Sequence, residues 1–288
     1  MKALFHLVAL LLFNTPFIFS QELLIKDGQK IGFMGDSITA QGWNHNAGYI
    51  KLITKALEEQ NITIKPIPAG VGGNKSNQML ARLEKDVLAK GPDWMTLSCG
   101  VNDVWHGARG VPLEQYKKNI QAILDKCLEK GVKVILLTPT MIGETNHPNW
   151  NELNKKLEPY VTFLNELAKT KNLPIADLNK AMKKAVTEMK QHHPNRRVYL
   201  TTDGVHMNPL GNMVIARGIL KTLGFNSTML QKAQQTWDQL NVDEMFKIHL
   251  TLKQYTKYSK LSNENRYKLY QSLNNLFKES LDKITQEN

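Results

Sequence analysis

Ser37 stands directly after Gly35 and Asp36, where the apolar run Ile31–Met34 has to turn. A serine hydroxyl is a poor nucleophile near neutral pH and attacks a carbonyl only when a base takes its proton. Far along the chain, Asp203 and His206 stand three residues apart in the short stretch Thr202–Pro209. An acid at that spacing can hold an imidazole in one tautomer and leave its second nitrogen facing a hydroxyl. Taken singly, each has an ordinary structural reading. A serine after a strand serves as a helix N-cap, and a single histidine is commonly a satisfied surface or core residue. The chemistry requires that the two stretches meet.

The elements between them say where they would meet. Ile31–Gly35 reads as a strand, and Gly35 lets the backbone bend sharply, placing Ser37 on a rigid turn. Ala47–Gln60 has Tyr49, Ile50, Ile53 and Leu57 on one helical side. Ile62–Ile67 reads as a short strand followed by the glycine-rich loop Pro68–Ser76, and helix resumes through Met79, Leu83 and Val87. Asp93–Ser98 is a buried strand leading to Cys99-Gly100-Val101-Asn102-Asp103. The helix Leu113–Glu129 is closed by Gly131, and Val132–Leu137 is an unbroken β-rich run of the kind buried parallel strands use. A helix over Trp150–Lys169, kinked at Pro159, and a strand over Leu173–Leu178 follow. Asn208 and Pro209 have the types of an N-cap and a first helical residue, opening a helix to Lys221 with Gly224 beyond it. Alternating strands and helices predict an α/β fold, three layers around a mostly parallel five-stranded sheet of the flavodoxin-like kind. Right-handed crossovers put every strand's carboxyl end on one edge. Ser37, the Gly70–Gly73 loop and Asn102 each lie just past a strand, so they gather at that edge.

Composition narrows the function class. A charge of +11 is spread along the chain without a basic block interleaved with aromatics, so no nucleic-acid partner is expected. Residues 1–20 have a positive start, the apolar stretch Leu4–Phe13 and a small residue at Ser20, the layout of a cleaved secretory signal. Asn14 and Pro16 interrupt a run already short for a membrane span. A secreted or periplasmic protein without a stable membrane anchor is therefore expected. Cys127 shares a helical face with Tyr116, Ile120, Ile123 and Leu124, and Cys99 ends a strand, so both read as buried free thiols. His192-His193 has no acid or cysteine at ligand spacing, so neither metal nor cofactor is expected.

Four stretches in order resemble the blocks of the SGNH hydrolases, also called GDSL-type esterases and lipases, over roughly Lys30 to Gly224. They are Gly35-Asp36-Ser37-Ile38, Gly70-Val71-Gly72-Gly73-Asn74, Gly100-Val101-Asn102-Asp103 and Asp203-Gly204-Val205-His206. The resemblance implies that Ser37 is the nucleophile, His206 the general base and Asp203 its orienting partner. It also implies an oxyanion hole made of the backbone N–H groups of Ser37 and Gly73 and the side-chain amide of Asn102. Pro68-Ala69 departs from the asparagine that many members carry there, and Gly72 offers a second glycine beside Gly73.

The family's substrates span sugar acetates, lipids, lysophospholipids and thioesters. Export, a loop bearing Trp105 and His106 after Asn102, and the lack of a greasy lid favour removal of O-acetyl groups from a carbohydrate, a small-molecule or polysaccharide ester. The alternatives are a lipase or lysophospholipase and an idle carbohydrate-binding protein on the same fold. Trp105, His106 and Trp43 are candidate pocket residues, each equally readable as packing. The Gly143–Trp150 loop, with His147, follows the strongest strand and so reaches the same edge. Asp36 and Asp103 read as turn-forming acids. From Asn226 onward strands vanish, and Ser227–Leu240, Val242–Tyr258 and Ser262–Ile284 read as three helices of an extension packed on a hydrolase domain of residues 21–225. In the last of them Tyr270, Leu273, Phe277, Leu281 and Ile284 form one apolar stripe. The oligomeric state is not legible.

Overall fold

Five parallel strands carry the molecule. The structure, a computed structural model, describes residues 22–144, 147–192, 199–240, 257 and 261–286. The expected leader over residues 1–20, the helix Val242–Tyr258 and the turn at His193-Pro194-Asn195 lie outside the described residues, apart from Lys257, which is helical. Strands β1 (Lys30–Gly35), β2 (Lys65–Gly70), β3 (Trp94–Ser98), β4 (Lys133–Leu137) and β5 (Ile175–Ala176) pair in the order β2-β1-β3-β4-β5. Beyond its first residue β1 is wholly buried, as is β4, because apolar side chains on both faces of a parallel sheet meet covering helices.

The helices in chain order are α1 (Ser37–Asn44), α2 (Tyr49–Glu58), α3 (Ser76–Asp86), α4 (Val101–Trp105), α5 (Leu113–Glu129), α6 (Pro148–Lys171), α7 (Leu178–His192), α8 (Pro209–Thr222) and α9 (Ser227–Trp237). α2 packs with α8 and α9, and α8 with α7, while α5 packs with α3 and α6. The crossover from β1 to β2 runs one way along the sheet and that from β2 to β3 runs back past β1. Right-handed connections therefore place α1–α2 and α3 on opposite faces. The strand order reverses beside β1, and open α/β sheets form their ligand crevice at that switch point, outside the carboxyl ends. Ser37 follows β1 and Asn102 follows β3, the neighbouring strands at the reversal.

The edge strand β2 is longer toward its end than the sequence predicts, because it runs through Pro66 and Pro68. Lys65 N–H bonds Gln29 O and Val71 N–H bonds Gly35 O, so odd-numbered residues face β1. The prolines fall on the outward positions, where no partner strand needs their missing N–H. β5 is shorter than predicted, two residues at the opposite edge. Pro159 lies inside α6, which runs unbroken from Pro148 to Lys171.

The first compact unit ends at Val242 and a second runs from Asp243. α9 belongs to the first unit, although the sequence places the start of the extension at Asn226. Its Trp237 is buried and donates Nε1–H to Leu52 O at 3.0 Å, and Lys232 pairs with Glu59 at 2.9 Å. In the second unit α10 (Asn263–Gln286) exposes Tyr267, Tyr270, Leu273 and Phe277. Among the described residues no helix is long and apolar enough to cross a membrane.

Candidate active site

Ser37 is the first residue of α1, and Asp36 caps that helix by accepting Ile38 N–H at 2.9 Å. The turn is tight enough to require glycine on both sides. A Cβ on Gly35 would fall 2.0 Å from Thr39 Oγ1, and one on Gly70 would fall 2.2 Å from Ala40 N. Only bare backbone lets the start of α1 settle between the ends of β1 and β2. Arg82, on α3, ties the same corner together. Its guanidinium donates to Gly35 O at 2.7 Å, Ala69 O at 2.9 Å and Asn74 Oδ1 at 2.7 Å.

The loop between α7 and α8 brings the acid and the imidazole. Asp203 Oδ2 lies 2.6 Å from His206 Nδ1, and Asp203 Oδ1 accepts the N–H groups of Val205 at 3.0 Å and His206 at 2.8 Å. His206 Nε2 lies 3.0 Å from Ser37 Oγ. A carboxylate at Nδ1 fixes the proton there, so Nε2 is the free acceptor facing the hydroxyl. Partial burial disfavours the charged form of Asp203, but the bonds from the His206 ring and the two backbone N–H groups outweigh it. They hold the carboxyl below its ordinary range. Asp203 and His206 sit on one turn and are more open than the serine corner, with 29% of the His206 and 53% of the Asp203 side chain exposed.

Asn102, on α4, points its amide into the same corner, donating from Nδ2 to Asp36 Oδ2 at 3.2 Å and Asn74 O at 3.3 Å. Both bonds are at the long end of the hydrogen-bond range. Asp36, read from sequence as a turn acid, thus links the helix cap to this amide. Burial pushes its carboxyl up to about 6, against the opposing pull of the Ile38 N–H and His206. Asp103 is buried beside it, accepting Ser76 N–H at 3.0 Å and Ser76 Oγ–H at 2.5 Å, while Asn119 donates to Ser76 Oγ at 2.9 Å. Burial raises the Asp103 carboxyl, and the Ser76 bonds only partly offset this. This network fixes α3 to α4, and with them the loop carrying Gly73 to Asn102.

Ser37, Gly73, Asn102, Trp105, His106, Asp203, Val205 and His206 line one cavity of about 290 Å³. Trp105 is 40% exposed at its wall. Trp43 does not line it: that ring is partly buried against the core, with Lys51 Nζ 5.9 Å from its centre. A larger cavity, about 530 Å³, opens at the amino ends of β3 and β4 beside Trp94, Leu128 and Val132, and no serine or histidine lines it. Cys99 and Cys127 are buried and unpaired. Burial raises both thiols, Cys127 to about 12. Two residues that the sequence leaves unmarked matter here, Arg82 and Glu144. Both act through partners distant in the chain, and only the assembled carboxyl edge shows them. Glu144 accepts the backbone N–H groups of Tyr199 and Leu200, just ahead of the Asp203 turn.

A family model described as GDSL-like Lipase/Acylhydrolase matches residues 33–214. An acetylxylan esterase of Geobacillus stearothermophilus is 28% identical over 223 residues, spanning 70% of this chain and 96% of that protein. The esterase TesA of Pseudomonas aeruginosa is 30% identical over 110 residues, 38% of this chain and 53% of its own. Among solved structures, the acetyl xylan esterase AlAXEase superposes with a TM-score of 0.59 at 33% identity, covering 67% of this chain and 99% of that one. The G. stearothermophilus acetylxylan esterase Axe2 superposes at 0.58 and 25% identity, covering 70% and 97%. Solved variants of Axe2 described as catalytic mutants replace a serine, an aspartate and a histidine with alanine.

Proposed function

The chain belongs to the GDSL-like lipase/acylhydrolase family and is a carboxylic ester hydrolase; from that premise we propose that it removes acetyl groups from a carbohydrate by way of an acyl-enzyme on Ser37. The observation that carries this reading is the unbroken line from Asp203 through His206 to the Ser37 hydroxyl, 2.6 Å and then 3.0 Å. As Ser37 Oγ attacks the ester carbonyl, its proton passes to His206 Nε2, and Asp203 stabilises the imidazolium that forms. The carbonyl oxygen becomes an oxyanion, accepting from the backbone N–H groups of Ser37 and Gly73 and from Asn102 Nδ2. One preset donor of this kind is typically worth ~3 kcal/mol of transition-state stabilisation. The imidazolium then gives its proton to the departing sugar oxygen as the carbonyl–oxygen bond breaks. Water, deprotonated by the same Nε2, attacks the acyl-serine, and acetate leaves with Ser37 Oγ–H restored.

The small cavity suits a short acyl group, and the half-open Trp105 ring offers a flat apolar face of the kind on which a sugar ring stacks. The two acetylxylan esterases at 28% and 33% identity point to the same substrate class. The leader-like residues 1–20 fit action on a polysaccharide outside the cytoplasm.

Ser37→Ala and His206→Ala, each purified and folded, are expected to lose at least about 10³-fold in kcat on p-nitrophenyl acetate. Unchanged turnover in either removes the mechanism. A chain-length series tests the acyl group, with acetate expected to outrun octanoate, and acetate release from acetylated xylooligosaccharides tests the alcohol. Preference for long chains would replace the sugar esterase with a lipase-type hydrolase.

A further inference from the structure

We infer that Glu144 is a positioning residue for the candidate triad, a buried carboxylate from which the Asp203–His206 turn is suspended; the inference rests on the esterase reading of Ser37 and His206. Glu144 is 1% exposed. Oε2 accepts the N–H groups of Tyr199 and of Leu200, the latter at 2.8 Å, and Oε1 accepts the Thr201 hydroxyl. Among the described residues no ion pair includes it. A buried carboxylate is costly unless several donors converge on it. Here the converging donors are three consecutive residues at the entrance to one loop.

That loop is the one that matters for the chemistry. Thr201 Oγ1, held by Glu144, accepts Gly204 N–H at 3.0 Å. Gly204 O in turn accepts Gly143 N–H at 2.6 Å, from the residue next to Glu144. Thr202 N–H bonds His206 O at 2.8 Å, and Thr201 bridges to Met207. The Trp150 ring fills the space over Gly143 and Gly204, where a Cβ on either would come within 2.8 Å of it. Asp203 and His206 ride on the same turn, so their mutual distance is set locally. The distance from His206 to Ser37 is not local: it depends on how the whole turn sits against the strands. Glu144 comes from the loop after β4, which pairs with β3, which pairs with β1. It therefore ties the turn to the frame that carries Ser37. A shift of about 1 Å between reacting groups can cost about 10²-fold in rate.

The test uses the full-length protein and p-nitrophenyl acetate. Glu144→Gln turns one acceptor into a donor beside Thr201 while keeping shape. It is expected to lower kcat about tenfold or more and leave KM within about twofold. The rate at which diethyl p-nitrophenyl phosphate labels Ser37 should fall in proportion, with near-UV circular dichroism unchanged. Thr201→Val should reproduce the loss, and Thr201→Ser, which keeps the hydroxyl, should restore kcat to within about twofold of the parent. A lower melting midpoint with unchanged kcat and labelling rate per folded molecule overturns the proposal. If Glu144→Gln does not fold, the Thr201→Val and Thr201→Ser pair decides by the same criterion. Ser37→Ala runs alongside. Activity surviving in it overturns the esterase reading, whereas a dead Ser37→Ala with a fully active Glu144→Gln overturns only the role of Glu144.

Discussion

At the scale of single residues, the least comfortable group in the site is Asp36. Its carboxyl is buried between the cap of α1 and the Asn102 amide, and desolvation raises it to about 6. Its unfolded value is near the ordinary 3.8, so between roughly pH 4 and 6 the native state binds more protons than the unfolded one. Stability from this group is therefore greatest at low pH and declines as pH rises through that window. Asp36→Asn removes the ionisation. Measured by urea unfolding, the parent should lose on the order of 2–3 kcal/mol against the variant between pH 4 and pH 7. A difference that stays flat across that range would show Asp36 to be ordinarily acidic. The variant should also lose activity, because its amide cannot accept from Asn102 while facing it with N–H. Ser37, Asp203 and His206 were legible because each lies in a short run whose neighbours announce it: a glycine and an acid before the serine, and an acid three residues ahead of the imidazole. Glu144 and Arg82 were not, since each acts on backbone that is remote in sequence, and nothing beside them marks it.

At the scale of elements, legibility followed burial. The helix Leu113–Glu129 appears with its predicted bounds because Tyr116, Ile120, Ile123, Leu124 and Cys127 are all buried on one face. β3 and β4, central in the sheet, carry runs too apolar to be anything but covered strands. The edges were harder. β2 runs three residues beyond the predicted Ile67, through Pro68, because an edge position forgives the missing donor. β5, at the opposite edge, pairs with β4 over two residues only. One glycine at this level has a testable role. Gly70→Ala would force a methyl against the backbone of Ala40, at the second residue after Ile38 on the Ser37 helix. Overpacking of this kind costs about 1–3 kcal/mol. The expected outcome is a lower melting midpoint together with a loss of kcat, since relief comes by moving α1. A stable, fully active Gly70→Ala would mean that the corner has slack the geometry does not show.

At the scale of the whole molecule, the arrangement was foreseeable because strand and helix alternate and crossovers have one hand. Those rules alone bring the ends of β1, β2 and β3 to one rim; the Asp203–His206 loop, which follows a helix rather than a strand, is not placed by them. The boundary of the extension was not, because α9 looks in sequence like the helices that follow it, and its ties to the first unit, the buried Leu230, Ala233 and Trp237 and the Glu59 and Arg217 contacts, show only in the structure. With α9 included, that unit closes its own core. A chain ending at Val242 is therefore expected to keep the melting midpoint and the kcat on p-nitrophenyl acetate of the full chain. Collapse of either would show that Asp243–Asn288 completes the fold. The prolines of β2 have a consequence beyond this chain. An open rim of sheet is a template on which a stray strand from another molecule can grow, the first step toward fibrous aggregates. Pro66 and Pro68 occupy successive outward positions, so an arriving strand finds no hydrogen to accept across that stretch. The margin nearest the serine corner thus offers a growing strand no donor at two successive steps.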